Sequence, residues 1–268
     1  MTTYKNQVVA ALGMLCALAA VAAPSPSQIF TAEDLAPGGV VTAVVLGARD
    51  AFLTKLDNTV QSYGFEQNSS FFPPTGVFAT LPVTFSGSVA GGAITATLEG
   101  SNTEVAGVDS AGRFNTTTPG AQYVQVLASS SSAFSILFSR GISAFGFYGT
   151  DIGDFDGLME LELLRANGTG TDTLTVRNTA SAASNNGALL FYGFADAASS
   201  YTKITFKTSG AAGSTALDYF GFDDFWVADA NQIRQPVDPN PTPEPGSLAL
   251  VGLALFAAGW ARKTQRRT

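Results

Sequence analysis

Asp151, Asp154 and Asp156 place three carboxylates within the seven-residue stretch Asp151-Ile152-Gly153-Asp154-Phe155-Asp156-Gly157. Clustered carboxylate oxygens suit a hard cation such as calcium, which takes about six to eight oxygen ligands. The spacing is not that of the twelve-residue helix–loop–helix calcium loop. With Asp154 and Asp156 at its third and fifth positions, Ile152 falls at the first and Leu163 at the twelfth, where carboxylates belong. An Asp/Gly loop that follows a strand is equally an ordinary turn. A second acidic pair, Asp223-Asp224, stands between Phe222 and Phe225. Strand alternation would send one of the two toward the core side of the phenylalanines and the other outward, and an inward carboxylate needs a partner.

Other chemistry is excluded by what the chain lacks. It has no histidine, so Ser-His-Asp and Cys-His catalysis, histidine metal ligands and histidine pH switches are all absent. Its one cysteine, Cys16, lies in an N-terminal apolar run, so the body has neither disulfides nor thiolate metal sites. Glu160 and Glu162 bring to mind the Glu-x-Asp-x-x-Glu strand of some sandwich glucanases, but the third acid is replaced by Arg165. The acid and nucleophile of a retaining glycosidase, about 5–5.5 Å apart, are therefore incomplete. The two glutamates alternate with Met159, Leu161 and Leu163, the pattern of a strand with one solvated face. Asn167 to Leu174 is similar to one calcium nonapeptide of a β-helix, yet a single copy cannot stack, so a Gly-rich hairpin loop is expected. Tyr123, Tyr148, Tyr192, Tyr219 and Trp226 are candidate stacking platforms for sugars, in competition with the core that 20 phenylalanines must fill.

The two ends have a different character. Lys5, the apolar run from Val8 to Ala22 and the small residues Ala20, Ala22 and Ala23 form a secretory signal with cleavage near Ala23. Leu15 before Cys16 does not suit lipoprotein cleavage. At the other end, Gln235 to Pro245 carries prolines at 236, 239, 241, 243 and 245 and reads as an extended spacer. Leu248 to Ala261 is apolar; at about 1.5 Å per residue it spans about 21 Å, short of the roughly 30 Å bilayer core. Arg262, Lys263, Arg266 and Arg267 follow and place the tail in the cytoplasm by the positive-inside tendency. Without its ends the body carries a net charge near −11, which excludes a nucleic-acid partner.

Pro243-Glu244-Pro245, the short apolar helix and the basic tail, in that order, resemble the PEP-CTERM sorting signal of Gram-negative bacteria. The resemblance implies handling by a membrane exosortase after export by the general secretory machinery. It implies a transient stay in the inner membrane, then release to the cell surface or the extracellular space.

Between the ends, one helix-like stretch, Thr31 to Leu56, carries Ala48, Phe52 and Leu56 at four-residue spacing. The pattern then changes to period two. Strands are expected at 60–66, 83–86, 94–98, 122–127, 134–139, 142–148, 158–164, 173–177, 188–194, 203–208 and 219–227. Gly-Gly, Ser-Ser-Ser-Ser and Asn-Asn-Gly punctuate them. Eleven strands without helical crossovers predict an all-β fold, an antiparallel, jelly-roll-like β-sandwich. The predicted organisation is a signal peptide at 1–23, a helical lead-in at 24–58, the sandwich at 59–230, a Pro-rich spacer with the Pro-Glu-Pro motif at 231–246, and a hydrophobic helix with basic tail at 247–268. Roughly 220 residues suffice for a core without disulfides.

The body has resemblances of its own. Gly112 to Thr117, Ser143 to Phe155 and Asp218 to Phe225 resemble segments of one group of PEP-CTERM secreted proteins, in organisms that make exopolysaccharide. Phe65-Glu66 and Asp223-Asp224 are similar to positions in carbohydrate-binding jelly-roll modules. There, a glutamate after the first strand's aromatic and an aspartate of the closing pair share a structural calcium. That resemblance implies a calcium held by Glu66 with Asp223 and Asp224; Asp151, Asp154 and Asp156, by their own spacing, are a weaker second ion candidate. The reading of the whole chain is a non-enzymatic exported protein of the surface or exopolysaccharide matrix. The alternatives are a carbohydrate-binding module of that matrix and, third, a glycan-active enzyme.

Overall fold

The computed structural model describes residues 28–66, 75–107, 112–128, 134–152, 157–176, 179, 187–210, 218–234 and 253–254. The chain divides into two units, Met1–Arg234 and Gln235–Thr268. In the second unit only Leu253 and Ala254 are described, and both are helical; the rest of the expected C-terminal helix, the Pro-Glu-Pro motif and the basic tail lie outside the described residues. Among the described residues no helix is long and apolar enough to cross a membrane.

The first unit is an antiparallel β-sandwich with one α-helix among the described residues. Its elements are β1 (Gln28–Asp34), α1 (Ala43–Leu53), β2 (Ser62–Tyr63), β3 (Gly76–Phe85), β4 (Ile94–Ala106), β5 (Tyr123–Ala128), β6 (Phe134–Ile142), β7 (Ala144–Thr150), β8 (Gly157–Arg165), β9 (Thr171–Val176), β10 (Leu189–Ala195), β11 (Tyr201–Gly210) and β12 (Asp218–Ala228). The hydrogen-bonded order is β1-β10-β7-β12-β5-β4-β6-β11-β8-β9, with β2 on β12 and β3 on β4. The long strand β4 joins the two layers: Thr103–Ala106 pair with β5, and Ala96–Glu99 pair with β6. The helix lead-in differs from the sequence expectation. Gln28–Asp34 is an edge strand paired with β10, and the helix begins only at Ala43. The strand is set by its partner across the sheet rather than by local propensity, and its burial is too irregular to show a period. Each of the eleven expected strands overlaps an observed one, although the first shrinks to Ser62–Tyr63.

Phenylalanines fill the space between the layers. Phe206 of one layer lies 5.4 Å from Phe147 and 5.0 Å from Phe222 of the other, and Phe134 stacks on Phe222 at 5.8 Å. These offset and edge-on contacts add to the area that each ring buries. A second, smaller core lies on the outer face of β7, β10 and β12. There Val45, Phe52 and Leu56 pack against Tyr148, Phe191 and Trp226. Strands β7 and β10 are therefore buried on both faces along their whole length, which is why their sequences read as continuous apolar runs. Gly146 makes room for the helix: a Cβ there would stand 2.9 Å from the Phe52 ring.

Candidate functional site

The Asp223-Asp224 pair sits at a β-bulge. Asp223 pairs with Tyr148 of β7, but Trp226 pairs with Gly146, so β12 carries one extra residue between them. Asp224 takes up the strain at φ 49°. The insertion puts both Phe222 and Phe225 in the inter-layer core. The expected alternation, with one carboxylate inward, is thus replaced by two carboxylates turned to the same side, toward the loop that follows Phe114. Neither is a solvated edge group, for Asp223 is 1% and Asp224 6% exposed.

Thr116 and Thr117 cover the pair. Thr116 donates its backbone N–H and its hydroxyl to Asp223 Oδ2, each at 2.8 Å, and its hydroxyl also lies 3.3 Å from Asp224 Oδ2. The Thr117 hydroxyl donates to Asp224 Oδ1 at 2.8 Å. Asp223 Oδ1 is buried with no hydrogen-bond partner. Glu66 joins from the end of the first sandwich segment, accepting from Ala121 N at 2.7 Å and from Asn115 Nδ2 at 2.5 Å. That same nitrogen stands 2.7 Å from the Gln122 carbonyl oxygen and 3.3 Å from Asp223 Oδ2. An amide nitrogen with two hydrogens thus faces three oxygens. The loop closes this tightly over Glu66 because residue 120 is glycine; a Cβ there would fall 2.0 Å from Glu66 Oε1.

Burial, and after it the neighbouring Asp224 carboxylate, pushes the Asp223 carboxyl well above the usual carboxylate range, against the opposing hydrogen bonds from Thr116. Burial raises Asp224 as well, with the Glu66 charge a smaller contribution. Among the described residues no three acidic side chains stand close enough to hold a metal by themselves. In this arrangement Asn115 separates Glu66 from the aspartates.

Beside the pair opens a cleft of about 560 Å³ between α1, the strand-free stretch Gly39–Val41 and the Asn115–Thr118 loop. Its floor includes Tyr148, Asp224 and Trp226, and Arg49 of α1 borders it. The Tyr148 hydroxyl is buried beside the Arg49 guanidinium, which also pairs with Asp50 at 2.6 Å. Burial pushes the hydroxyl up to about 12, the Arg49 guanidinium nearby opposing, so it remains an O–H at any physiological pH.

The other sequence candidates are placed differently. Asp151 is buried at φ 64°, accepting from Arg113 Nη1 at 3.2 Å and from Gly187 N at 2.9 Å. Arg113 also donates to Gln125 Oε1 at 2.7 Å and lies 5.2 Å from the Tyr219 ring centre. Asp151 therefore serves an internal ion pair; Asp154 and Asp156 lie outside the described residues. Asn167 to Leu174 forms the β8–β9 hairpin, with Gly168 at φ 72° and the Asn167 side chain accepting from Thr169 N. Asp172 is clamped by Arg165 and by the Tyr201 hydroxyl. Glu162 pairs with Lys207 on the outer face, while Met159, Leu161 and Leu163 are buried. Of the aromatic candidates, Tyr123, Tyr148 and Tyr192 are buried in the fold, and only Tyr219 has substantial exposure, at 40%.

Sequence reasoning missed Asn115, Thr116, Thr117 and Gln122 as parts of the site. The available signal was the polar Asn-Thr-Thr run just before Pro119-Gly120, a loop too rich in donors to be plain connection.

Residues 241–263 match the PEP-CTERM protein-sorting motif. Such a motif marks an exported, membrane-anchored precursor that an exosortase processes. No curated protein matches the chain. Among solved structures, the body is similar to the module TmCBM61 in complex with β-1,4-galactotriose, at 13% identity over 49% of this chain and 86% of that one, with a TM-score of 0.27. It is also similar to the C-terminal family 22 carbohydrate-binding module of Clostridium thermocellum Xyn10B, at 15% identity over 66% and 99%, with a TM-score of 0.33. A xylan-binding domain of family 22 gives 14% identity over 66% and 100%, at the same TM-score. Likenesses of this strength carry no argument about what the body binds.

Proposed function

We propose that the protein is a non-enzymatic component of the cell surface or exopolysaccharide matrix. The general secretory route exports it, Leu248 to Ala261 holds it briefly in the inner membrane, and an exosortase cuts it near Pro243-Glu244-Pro245. The observation that carries this reading is the sorting-motif match at 241–263, which spans the Pro-Glu-Pro triplet, the apolar run and the first basic residues. The signal at 1–23 agrees with it in direction. The body's role is structural: a disulfide-free sandwich presented outside the cell.

We further propose that this body takes a structural calcium at Glu66, Asp223 and Asp224. Three features support the fit. Asp223 Oδ1 is buried without a partner, a costly state that a cation would relieve. The Asn115 nitrogen occupies a position among three oxygens, which its own amide oxygen could exchange for by rotation of the side chain. Burial raises the carboxyls of Asp223 and Asp224, and a bound cation would favour their charged forms. With an ion bound, these residues and the Gln122 carbonyl would supply its oxygens; calcium would lock the 115–122 loop rather than take part in a reaction.

Mass spectrometry of the protein recovered from its native host tests the sorting reading. Termini near Ala23 and near Pro243–Pro245 are expected. A full-length species at the surface overturns it.

A further inference from the structure

We propose that Asn167, in the turn between β8 and β9, is an acceptor for covalent N-linked glycosylation. The proposal rests on the reading of the protein as exported, because the transferase it calls for modifies exported chains.

Three observations carry it. Asn167-Gly168-Thr169 is an Asn-x-Thr triplet, the acceptor pattern for asparagine glycosylation in a surface loop of an exported protein. Residues 166–170 are all exposed. Gly168 stands at φ 72°, and a Cβ there would meet nothing within 4 Å, so the turn is open to an enzyme.

The amide is also set for the chemistry. Its Oδ1 accepts from the Thr169 backbone N–H at 2.9 Å and from the Thr169 hydroxyl at 2.7 Å, while Nδ2 has no partner among the described residues. Hydrogen bonds to the oxygen favour the form in which the nitrogen has given up a proton, which makes a weak nucleophile a better one. In the transfer, Nδ2 bonds to the anomeric carbon of a sugar carried on a polyprenyl diphosphate. The carbon–oxygen bond to the diphosphate breaks, the lipid diphosphate leaves with the electron pair, and the proton of the nitrogen passes to a base of the transferase.

Third, the reaction that competes for an Asn-Gly amide is held back. The Gly168 nitrogen, which would attack the Asn167 side-chain carbonyl and deamidate it, donates instead to the Arg165 carbonyl at 3.0 Å. Arg165 is itself fixed to Asp172 across the hairpin at 3.0 Å.

Asn115-Thr116-Thr117 repeats the triplet and provides the internal contrast. Its Nδ2 donates to Glu66 Oε1 at 2.5 Å and to the Gln122 carbonyl at 2.7 Å, and both threonine hydroxyls are held by the Asp223-Asp224 pair. No modification is expected there. A further triplet, Asn68-Ser69-Ser70, lies outside the described residues.

Protein recovered from its native host provides the test. Trypsin releases the peptide 166–177, in which Asn167 is the sole asparagine. Mass spectrometry with fragmentation should find a glycan on Asn167 in most copies and none on Asn115. Asn167→Gln and Thr169→Ala should each abolish it, and Thr169→Ser should keep it. All three changes lie in an exposed turn, so each variant should melt with the parent. The proposal is overturned if the peptide carries no glycan, if Asn167 is merely converted to aspartate, or if the glycan survives Asn167→Gln and therefore sits on a threonine. A bare peptide counts against the acceptor whichever N-terminus is found. Failure of the export reading shows separately, as residues 1–23 retained in the N-terminal peptide of the same digest.

Discussion

Thr116 gives both its backbone N–H and its hydroxyl to one oxygen of Asp223, and the other oxygen of that carboxylate is buried with nothing to accept from. A half-satisfied carboxylate at 1% exposure is costly whichever way it is titrated. Either a proton or a cation must offset the cost, and the next two predictions separate the two.

Calcium should stabilise the body. An ion that binds only the folded state at a hundredfold excess over its Kd contributes about 2.7 kcal/mol. In a domain of this size each kcal/mol moves the melting temperature by about 2–4 °C, so a rise of about 5–10 °C over the chelated protein is expected. Glu66→Gln, Asp223→Asn or Asp224→Asn should remove most of that rise, since each keeps the volume and deletes a charged ligand. Asn167→Ala is the matched control, on an exposed hairpin turn. Asp172 does not serve, because its ion pair with Arg165 makes it structural. Superimposed melting curves with and without chelator would refute the ion site.

In chelator the same carboxylate should make stability depend on pH in a direction opposite to that of an ordinary surface acid. The folded-state pKa of Asp223 is raised, so between the ordinary carboxylate value near 4 and its raised folded value the folded state holds a proton that the unfolded chain has released. Stability must then fall as pH rises through that interval, by at most about 1.4 kcal/mol per pH unit for one proton. It is fully present below about pH 4 as far as this group is concerned. Denaturant midpoints at pH 5 and pH 7.5 should therefore favour pH 5, and Asp223→Asn should flatten the difference. A parent protein less stable at pH 5 than at 7.5 would contradict the assignment.

β8 was legible because it buries alternate residues against the core, Met159, Leu161 and Leu163 against Glu160 and Glu162, and β7 and β10 were legible as short continuous apolar runs. The helix at Ala43–Leu53 was legible from the spacing of Ala48 and Phe52, but β1 was not, since its seven residues owe their conformation to β10. In the site, Glu66, Asp223 and Asp224 were identifiable as a set only by resemblance. The bulge that turns both aspartates to one side has no period to reveal it, and the threonines that cover them come from a loop more than a hundred residues away in sequence. Asp151 was read as one of three acids in an acidic loop because its partner, Arg113, is brought to it only by folding.

Neutral replacements of Arg262, Lys263, Arg266 and Arg267 should disturb sorting without touching the body. Basic residues flanking a short apolar run fix its orientation, and Leu248 to Ala261 is short enough to depend on them. Slower loss of the C-terminal segment, or unprocessed protein in the medium, is expected in pulse–chase experiments. Processing at the parental rate would mean that Pro-Glu-Pro and the apolar run suffice.

Asp151→Ala should be among the most destabilising single changes in the body. Its carboxylate pairs with Arg113 where the side chains are 2% and 9% exposed, and removal of one partner of a buried pair strands the other charge, at about 3–5 kcal/mol. Arg113 would keep Gln125 Oε1 and the Tyr219 ring face, which places the loss toward the lower end of that range. Replacement of both, as Arg113→Met with Asp151→Asn, removes both charges; asparagine also tolerates the positive φ at 151. Chemical denaturation of the parent, Asp151→Asn, Arg113→Met and the double variant measures the coupling. The double variant is expected to be more stable than the sum of the two single losses allows. If it is instead less stable by the sum of the single losses, the two residues act independently, and the ion pair is not what secures the loop after β7.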